Sequence, residues 1–177
     1  MKVICPPCAA PGYTATNRGP RSDRSHRDCR HSAGTPYARR VSIDADPTDP
    51  GPELLAFLTE RHLATLSTVR PDGRLHVVPV GFTYEPGRRL ARVITFASSR
   101  KARNVAATPG GLAVLCQVDA GRWVTLEGTA VLRSDDAANA EATHRYASRY
   151  RTPRDRADRV TIEIEVQRIV GVWTKGS

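Results

Sequence analysis

The residues best suited to chemistry lie between Ser98 and Asn104, in the run Ser-Ser-Arg-Lys-Ala-Arg-Asn. Ser98 or Ser99 reads as a helix N-cap. Arg100, Lys101 and Arg103 crowd the first turn behind it, where the helix dipole disfavours cations. Free backbone N–H groups, hydroxyls and cations together make an anion site, and a phosphate anchor uses all of them. A merely solvated helix end uses the same residue types. A second set, Arg145, Arg149 and Arg151, could pair carboxylates bidentately. With Arg154, Arg156 and Arg159 it could equally well solvate a helix end and the loop that follows.

Nucleophilic and metal chemistry lack their residues. The chain has no Gly-x-Ser-x-Gly elbow and no His-x-x-x-His pair. His62, His76 and His144 are scattered, so a metal site is not expected in the folded part, and no residue stands out as a general acid. Cys5-Pro-Pro-Cys8 has the spacing of half a zinc site, which Cys29 with His26 or His31 could complete. Prolines flank it and no core surrounds it, so incidental thiols in a tail are the expectation. Cys116 lies in an apolar run and reads as a small core residue.

The elements that must position these residues are mostly strands. Asp49-Pro50-Gly51-Pro52-Glu53 opens a helix, with a cap, a first-turn proline and an acidic residue, and Leu54, Leu55, Leu58 and His62 follow at helical spacing. Strands are predicted over 63–69, 75–84 and 90–97, separated by the turns Pro71-Asp72-Gly73 and Pro86-Gly87, as a meander. The strand 75–84 is apolar on both faces, with Val78, Val80 and Phe82 on one and Leu75, Val77 and Pro79 on the other. It must pack on both sides, against the core and against a partner subunit or a flat ligand. Pro79 predicts a local loss of pairing or a bulge. A short helix over 101–108 and strands over 112–118 and 123–132 come next. A helix over 135–150 then carries Arg145 and Arg149 on one face. The last strand alternates cleanly through Val160, Ile162, Ile164 and Val166, and its phase breaks at Arg168-Ile169-Val170, which predicts a bulge. The fold class is therefore mainly β with flanking helices, a six-stranded antiparallel barrel.

Length and charge set the frame. A chain of 177 residues suits one domain of ordinary size. Net charge is +9, but residues 1–40 hold eight Lys and Arg against two Asp. Residues 1–48 are rich in Arg, Pro, Gly and Ser and poor in large apolar side chains, so a disordered basic extension is expected there, with the folded domain at 49–177. No apolar run approaches a membrane span and no secretory signal is apparent, so a soluble, cytoplasmic protein is expected. The expected fold has no basic module for nucleic acid.

Four segments carry a family resemblance: His62-Leu-Ala-Thr-Leu-Ser-Thr-Val69, Pro71-Asp-Gly-Arg-Leu-His-Val-Val-Pro-Val-Gly-Phe82, Ile94-Thr95 to Asn104, and Arg122-Trp-Val-Thr-Leu-Glu-Gly128. They resemble the split-barrel flavin and deazaflavin oxidoreductases related to pyridoxamine phosphate oxidase, over about residues 52–173. Phe57 to Ala64, Gln117-Val-Asp119, Arg122-Trp123 and Tyr146 to Pro153 resemble, more narrowly, the actinobacterial deazaflavin-dependent biliverdin reductases. The resemblance implies a homodimer with two cofactor sites at its interface. The ring of reduced coenzyme F420 would lie along His76, Val77, Val78, Pro79 and Val80. Its phosphate side would meet Thr95, Ser98, Ser99, Arg100 and Lys101, with Asn104 near. The partner subunit would add Gln117, Arg122 and Trp123. The implied reaction is hydride transfer to the central methine bridge of biliverdin or a similar tetrapyrrole, whose propionates Arg145, Arg149 and Arg151 could meet. An FMN enzyme of the oxidase type and a non-catalytic deazaflavin or tetrapyrrole carrier stand as alternatives.

Overall fold

A computed structural model of the chain describes residues 42–174. The Cys5 and Cys8 site and most of the basic extension lie outside the described residues. Eight strands and three α-helices follow in the order β1 (Ile43–Ala45), α1 (Pro52–Thr59), β2 (Ala64–Val69), β3 (Leu75–Val80), β4 (Thr83–Glu85), β5 (Leu90–Phe96), α2 (Arg100–Ala107), β6 (Gly111–Asp119), β7 (Arg122–Arg133), α3 (Asp136–Arg149) and β8 (Arg159–Val172). The two strands beyond the expected six are β1 and β4. Each has three residues, too short to show an alternating pattern in sequence. β1 lies ahead of Asp49 and pairs with β8 through Asp44 and Val170.

All pairings are antiparallel, and the sheet runs β3-β2-β6-β7-β8-β5-β4 with β1 on β8. This corrects the expected meander. β2 and β3 form one hairpin and β4 and β5 another, but β3 and β4 lie at opposite ends of the strand order. The predicted strand 75–84 is broken at Gly81-Phe82, where the chain crosses between them. Side chains from both halves meet in one core. Phe57, Leu66, Phe82, Leu115, Leu126, Ile162, Ile164 and Ile169 are fully buried, and each such side chain contributes about 1.5–3 kcal/mol through the water it sheds.

The bulge expected in β8 is present. Glu127 pairs with Arg168 and Gly128 with Val166, so Gln167 has no partner opposite it. The two backbones close up here: a Cβ at Gly128 would stand 2.0 Å from the carbonyl oxygen of Glu165. Only glycine fits at that point.

Capping is partly as expected. Ser99 caps α2 by accepting a hydrogen bond from Ala102 N, and Asp135 caps α3 by accepting from Ala138 N. Asp49 does not cap α1. Gly51, at φ 77°, is the N-cap and Pro52 follows it inside the first turn, because a glycine with positive φ turns the chain sharply enough to aim Leu54, Phe57 and Leu58 inward. β3 keeps an unbroken register past Pro79, which lies opposite Thr65. No bulge forms there, since an edge strand can hold a proline whose missing N–H would face away from the sheet.

Candidate functional site

A cleft of about 370 Å³ opens where the end of β3 approaches the end of β5. Pro79, Val80 and Gly81 form one wall; Ile94, Thr95 and Phe96 form another. Lys101 reaches in from α2, Tyr146 from α3, and Arg154, Arg156 and Arg159 from the segment that leads into β8. Of the run from Ser98 to Asn104, Lys101 is the residue that meets the end of β3 in this cleft. Alternation decides how: β5 carries Thr95 and Phe96 to its end, and the turn at Ala97–Ser98 folds α2 back against it.

Each element has a local reason to hold its place. Ser99 is buried, and its hydroxyl accepts from Ala102 N and from the Thr95 hydroxyl at 3.2 Å. Two of its hydrogen bonds are thus spent on fastening α2 to β5. Lys101 is half-buried, and burial alone pushes its ammonium below the usual lysine range. No carboxylate lines the cleft around it. His76 holds a buried Nδ1 with no hydrogen-bond partner among the described residues. Gly81 lies against α3, where an added Cβ would come 2.7 Å from Tyr146 Cε2. Tyr146 stacks on Tyr150 at 4.8 Å, and Tyr150 donates to His62 O at 2.7 Å and accepts from Phe82 N at 3.2 Å. The β3–β4 crossover is thereby tied to α3.

Other expected site residues have interior roles. Asn104 is buried on the far side of α2 and donates to the Thr68 hydroxyl at 3.0 Å, beside a separate apolar hollow. Gln117 is fully buried; it donates to Phe57 O and accepts from Arg149, both at 2.8 Å. Neither lines the cleft between β3 and β5. Arg149 donates to the carbonyls of Glu60 and Phe82 as well, so it braces the fold at one edge of a second cleft. Arg145 is bound by Glu85 at 3.3 Å and by Glu141, and it faces a different cleft of about 560 Å³ between α1, β4 and α3. Arg151, Ser98 and Arg100 are exposed and Trp123 is half-buried near the start of β7. Phe96, Tyr146, Arg154, Arg156 and Arg159 also line the cleft, beyond the residues expected from the sequence. Only the three arginines left a signal, as a basic run after a helix.

Arg122 sits inside a charged knot. Its guanidinium clasps Glu60 at 2.7 and 2.8 Å, reaches Asp119, and covers the Phe57 ring at 4.4 Å. His62 joins at 2.9 Å from Glu60. Glu60, His62 and Asp119 bring ligand-type atoms within 4.8 Å of one another, and the Arg122 cation pairs with both carboxylates of the set. Hydrogen bonding from Arg122, then from His62, holds the Glu60 carboxyl down at about 2. The folded value is below the ordinary 4.5, so this contribution to stability is full above 4.5 and is lost as pH falls through about 2. Thermal unfolding followed from pH 6 downward should therefore show a Glu60→Gln chain that starts less stable and loses less on acidification. Parallel curves would exclude this origin for the acid sensitivity.

Residues 51–173 match the family model described as pyridoxamine 5′-phosphate oxidase. Over 119 residues the chain is 54% identical to an F420H2-dependent biliverdin reductase of Mycobacterium tuberculosis, covering 67% of this chain and 85% of that protein. Among solved structures it is similar to an F420 reductase, at 26% identity and a TM-score of 0.52, over 68% of this chain and 97% of that one. It shares a fold with a putative pyridoxamine 5′-phosphate oxidase of Listeria innocua, at 17% identity and a TM-score of 0.55, over 69% and 97% of the two chains.

Proposed function

The chain belongs to the pyridoxamine 5′-phosphate oxidase family, and from there we propose that it is a reductase that uses reduced coenzyme F420 to convert biliverdin, or a similar conjugated tetrapyrrole, to the bilirubin level. The observation that carries this reading is the cleft between β3 and β5, which offers a half-buried Lys101 with no carboxylate beside it. A cation desolvated without a counter-ion fits an anionic ligand. Pro79, Val80 and Ile94 on the walls of the cleft fit a flat, largely apolar ring. In this reading the strand from His76 to Val80 seats the ring. Thr95, Ser98, Arg100 and Lys101 face its phosphate side, and Arg151 remains available to substrate propionates. The bound cofactor supplies the hydride. The chain's residues orient it, exclude water from the β3 wall and hold its charge.

The reading includes a cytoplasmic homodimer. Leu75 and Val77 on β3 and Leu112 and Val118 on β6 are between 55% and 68% exposed. The register places them on one face, since Val77 lies opposite Ser67 and Ser67 opposite Val114. Exposed apolar side chains gathered on one face, here on either side of Ser67, are the usual mark of an interface. A partner lying on it could bring Trp123 to the cofactor. No helix among the described residues is long and apolar enough to cross a membrane.

The decisive experiment mixes the purified chain with reduced F420 and biliverdin under exclusion of oxygen and follows the biliverdin absorption band. The expected result is its loss, with bilirubin appearing in step. Conversion by reduced FMN but not by reduced F420 would sink the assignment in favour of a flavin enzyme. Binding of both ligands without conversion would leave a carrier.

A further inference from the structure

α3 separates two clefts. Tyr146 lines the one at the end of β3. Glu141, Arg145 and Ser148, at helical spacing on another face, line the cleft of about 560 Å³ against α1 and β4. The function proposed above uses the first and leaves the second, the larger of the two, without a task. The apolar surface of this second cleft comes from Leu55, Leu58 and the Tyr84 ring. Its size, and an apolar lining with a few polar groups, are those of a small-molecule site.

The fold leaves two of its polar groups incomplete. Thr83 is 8% exposed, and its hydroxyl is shut off from water with no hydrogen-bond partner among the described residues. Such a hydroxyl has lost its water and recovered no bond, so it costs the fold stability. Thr83 lines the cleft, and one rotation about its Cα–Cβ bond exchanges methyl and hydroxyl. The second group is Arg149, which also lines the cleft. Its acceptors are the carbonyls of Glu60 and Phe82 and the Gln117 amide, and no carboxylate pairs with it among the described residues. Nη1 donates one N–H to Phe82 O, next to Thr83, and carries a second. The other charges of the wall are matched. Arg145 lies between Glu141 and Glu85, and Glu85 also holds Arg92. A ligand carboxylate answers both incomplete groups, since it accepts from a guanidinium N–H and from a hydroxyl.

We propose that the cleft between α1, β4 and α3 is a second ligand site, for a monocarboxylate with a flat apolar body. Its carboxylate meets Arg149 and the Thr83 hydroxyl, and its body lies on Leu55, Leu58 and Tyr84. The site is separate from the cleft assigned to the cofactor and does not rest on the function proposed above.

The test is isothermal titration of the cofactor-free chain with 2-naphthoate, with 2-naphthamide as its neutral counterpart. The acid should bind, and the amide about tenfold more weakly, as expected when a charge-assisted contact is lost. Thr83→Val keeps the branched shape and removes the hydroxyl. It should weaken binding of the acid about tenfold. Its melting temperature without ligand should hold or rise, because the group removed is a buried hydroxyl with no partner. Ser148→Phe, on the exposed rim, should fill the cleft and abolish binding with the melting temperature unchanged. Oxidised F420 should not displace the acid. No binding to the parent chain, equal affinity for acid and amide, or affinity indifferent to both substitutions overturns the site. So does a Thr83→Val chain that melts lower, since its hydroxyl would then be bonded within the fold. Displacement of the acid by F420 would move it to the cofactor cleft, and a raised KM for biliverdin in Thr83→Val would give the cleft to the substrate; either result ends the proposal.

Discussion

Replacing Arg149 with methionine should cost about 1–3 kcal/mol of stability for each buried acceptor left without a donor. Its thermal midpoint should fall by many degrees, while KM for the tetrapyrrole in the fraction that remains folded should stay the same. Three acceptors depend on this one side chain. Nε and Nη2 donate to Glu60 O at 3.1 and 2.8 Å, Nη1 to Phe82 O at 2.6 Å, and Nη2 to Gln117 Oε1 at 2.8 Å. Glu60 ends α1, Phe82 lies in the β3–β4 crossover and Gln117 is on β6, so one guanidinium fastens three segments to α3. The planar group also covers the rings of Phe82 and Tyr150 at 4.5 and 5.1 Å. Burial lowers its pKa, and it stays a cation because guanidinium loses its proton only far above neutrality. Methionine fills part of the space and leaves carbonyls and a fully buried Gln117 without donors. Arg149→Lys should recover little, since an ammonium lacks the planar fork. A methionine variant of normal stability and raised KM would return Arg149 to the substrate.

Lys101→Met should move two measurements in opposite directions. Cofactor affinity should fall by roughly thirtyfold, equivalent to about 2 kcal/mol for a lost charge-assisted contact in a half-buried site. The stability of the chain without cofactor should hold or rise. Burial lowers the pKa of Lys101, so its charged form is disfavoured in the folded state. That penalty is fully present below the depressed value and disappears as pH rises past the ordinary 10.5. An anion bound beside it reverses the preference. Affinity for the anionic cofactor is therefore strongest while Lys101 is protonated and declines as pH rises through a value below that of a free lysine. A fluorescence titration across the alkaline range, beside the melting curve of the cofactor-free chain, checks both parts. If Lys101→Met loses stability and keeps its affinity, Lys101 belongs to the packing and not to the site.

The two substitutions separate what was readable from what was not. Local patterns carried the elements. The alternation of Val160, Ile162, Ile164 and Val166 matches buried positions of β8, and the break in phase after it matches the unpaired Gln167. Ser99 and Asp135 cap the helices their types announce. The resemblance carried by residues 52–173 reached the family and its antiparallel barrel. Such features are legible because their causes lie within a few residues: a two-residue period, a hydroxyl three positions before an N–H. Lys101 was legible for the same reason, since its place behind a cap and a strand is local.

What only the tertiary structure decided is which arginine does what. Arg145 and Arg149 share a helix face by spacing alone, and spacing does not say what that face meets. It meets Glu60, Phe82, Glu85 and Gln117, contributed by distant parts of the chain. The plainer arginines 154, 156 and 159 reach the cleft because β8 returns beside β5, while β3 and β4, neighbours in sequence, part to opposite ends of the strand order. A guanidinium takes its role from its partners. Those partners are set by strand order, and no period in the sequence encodes strand order.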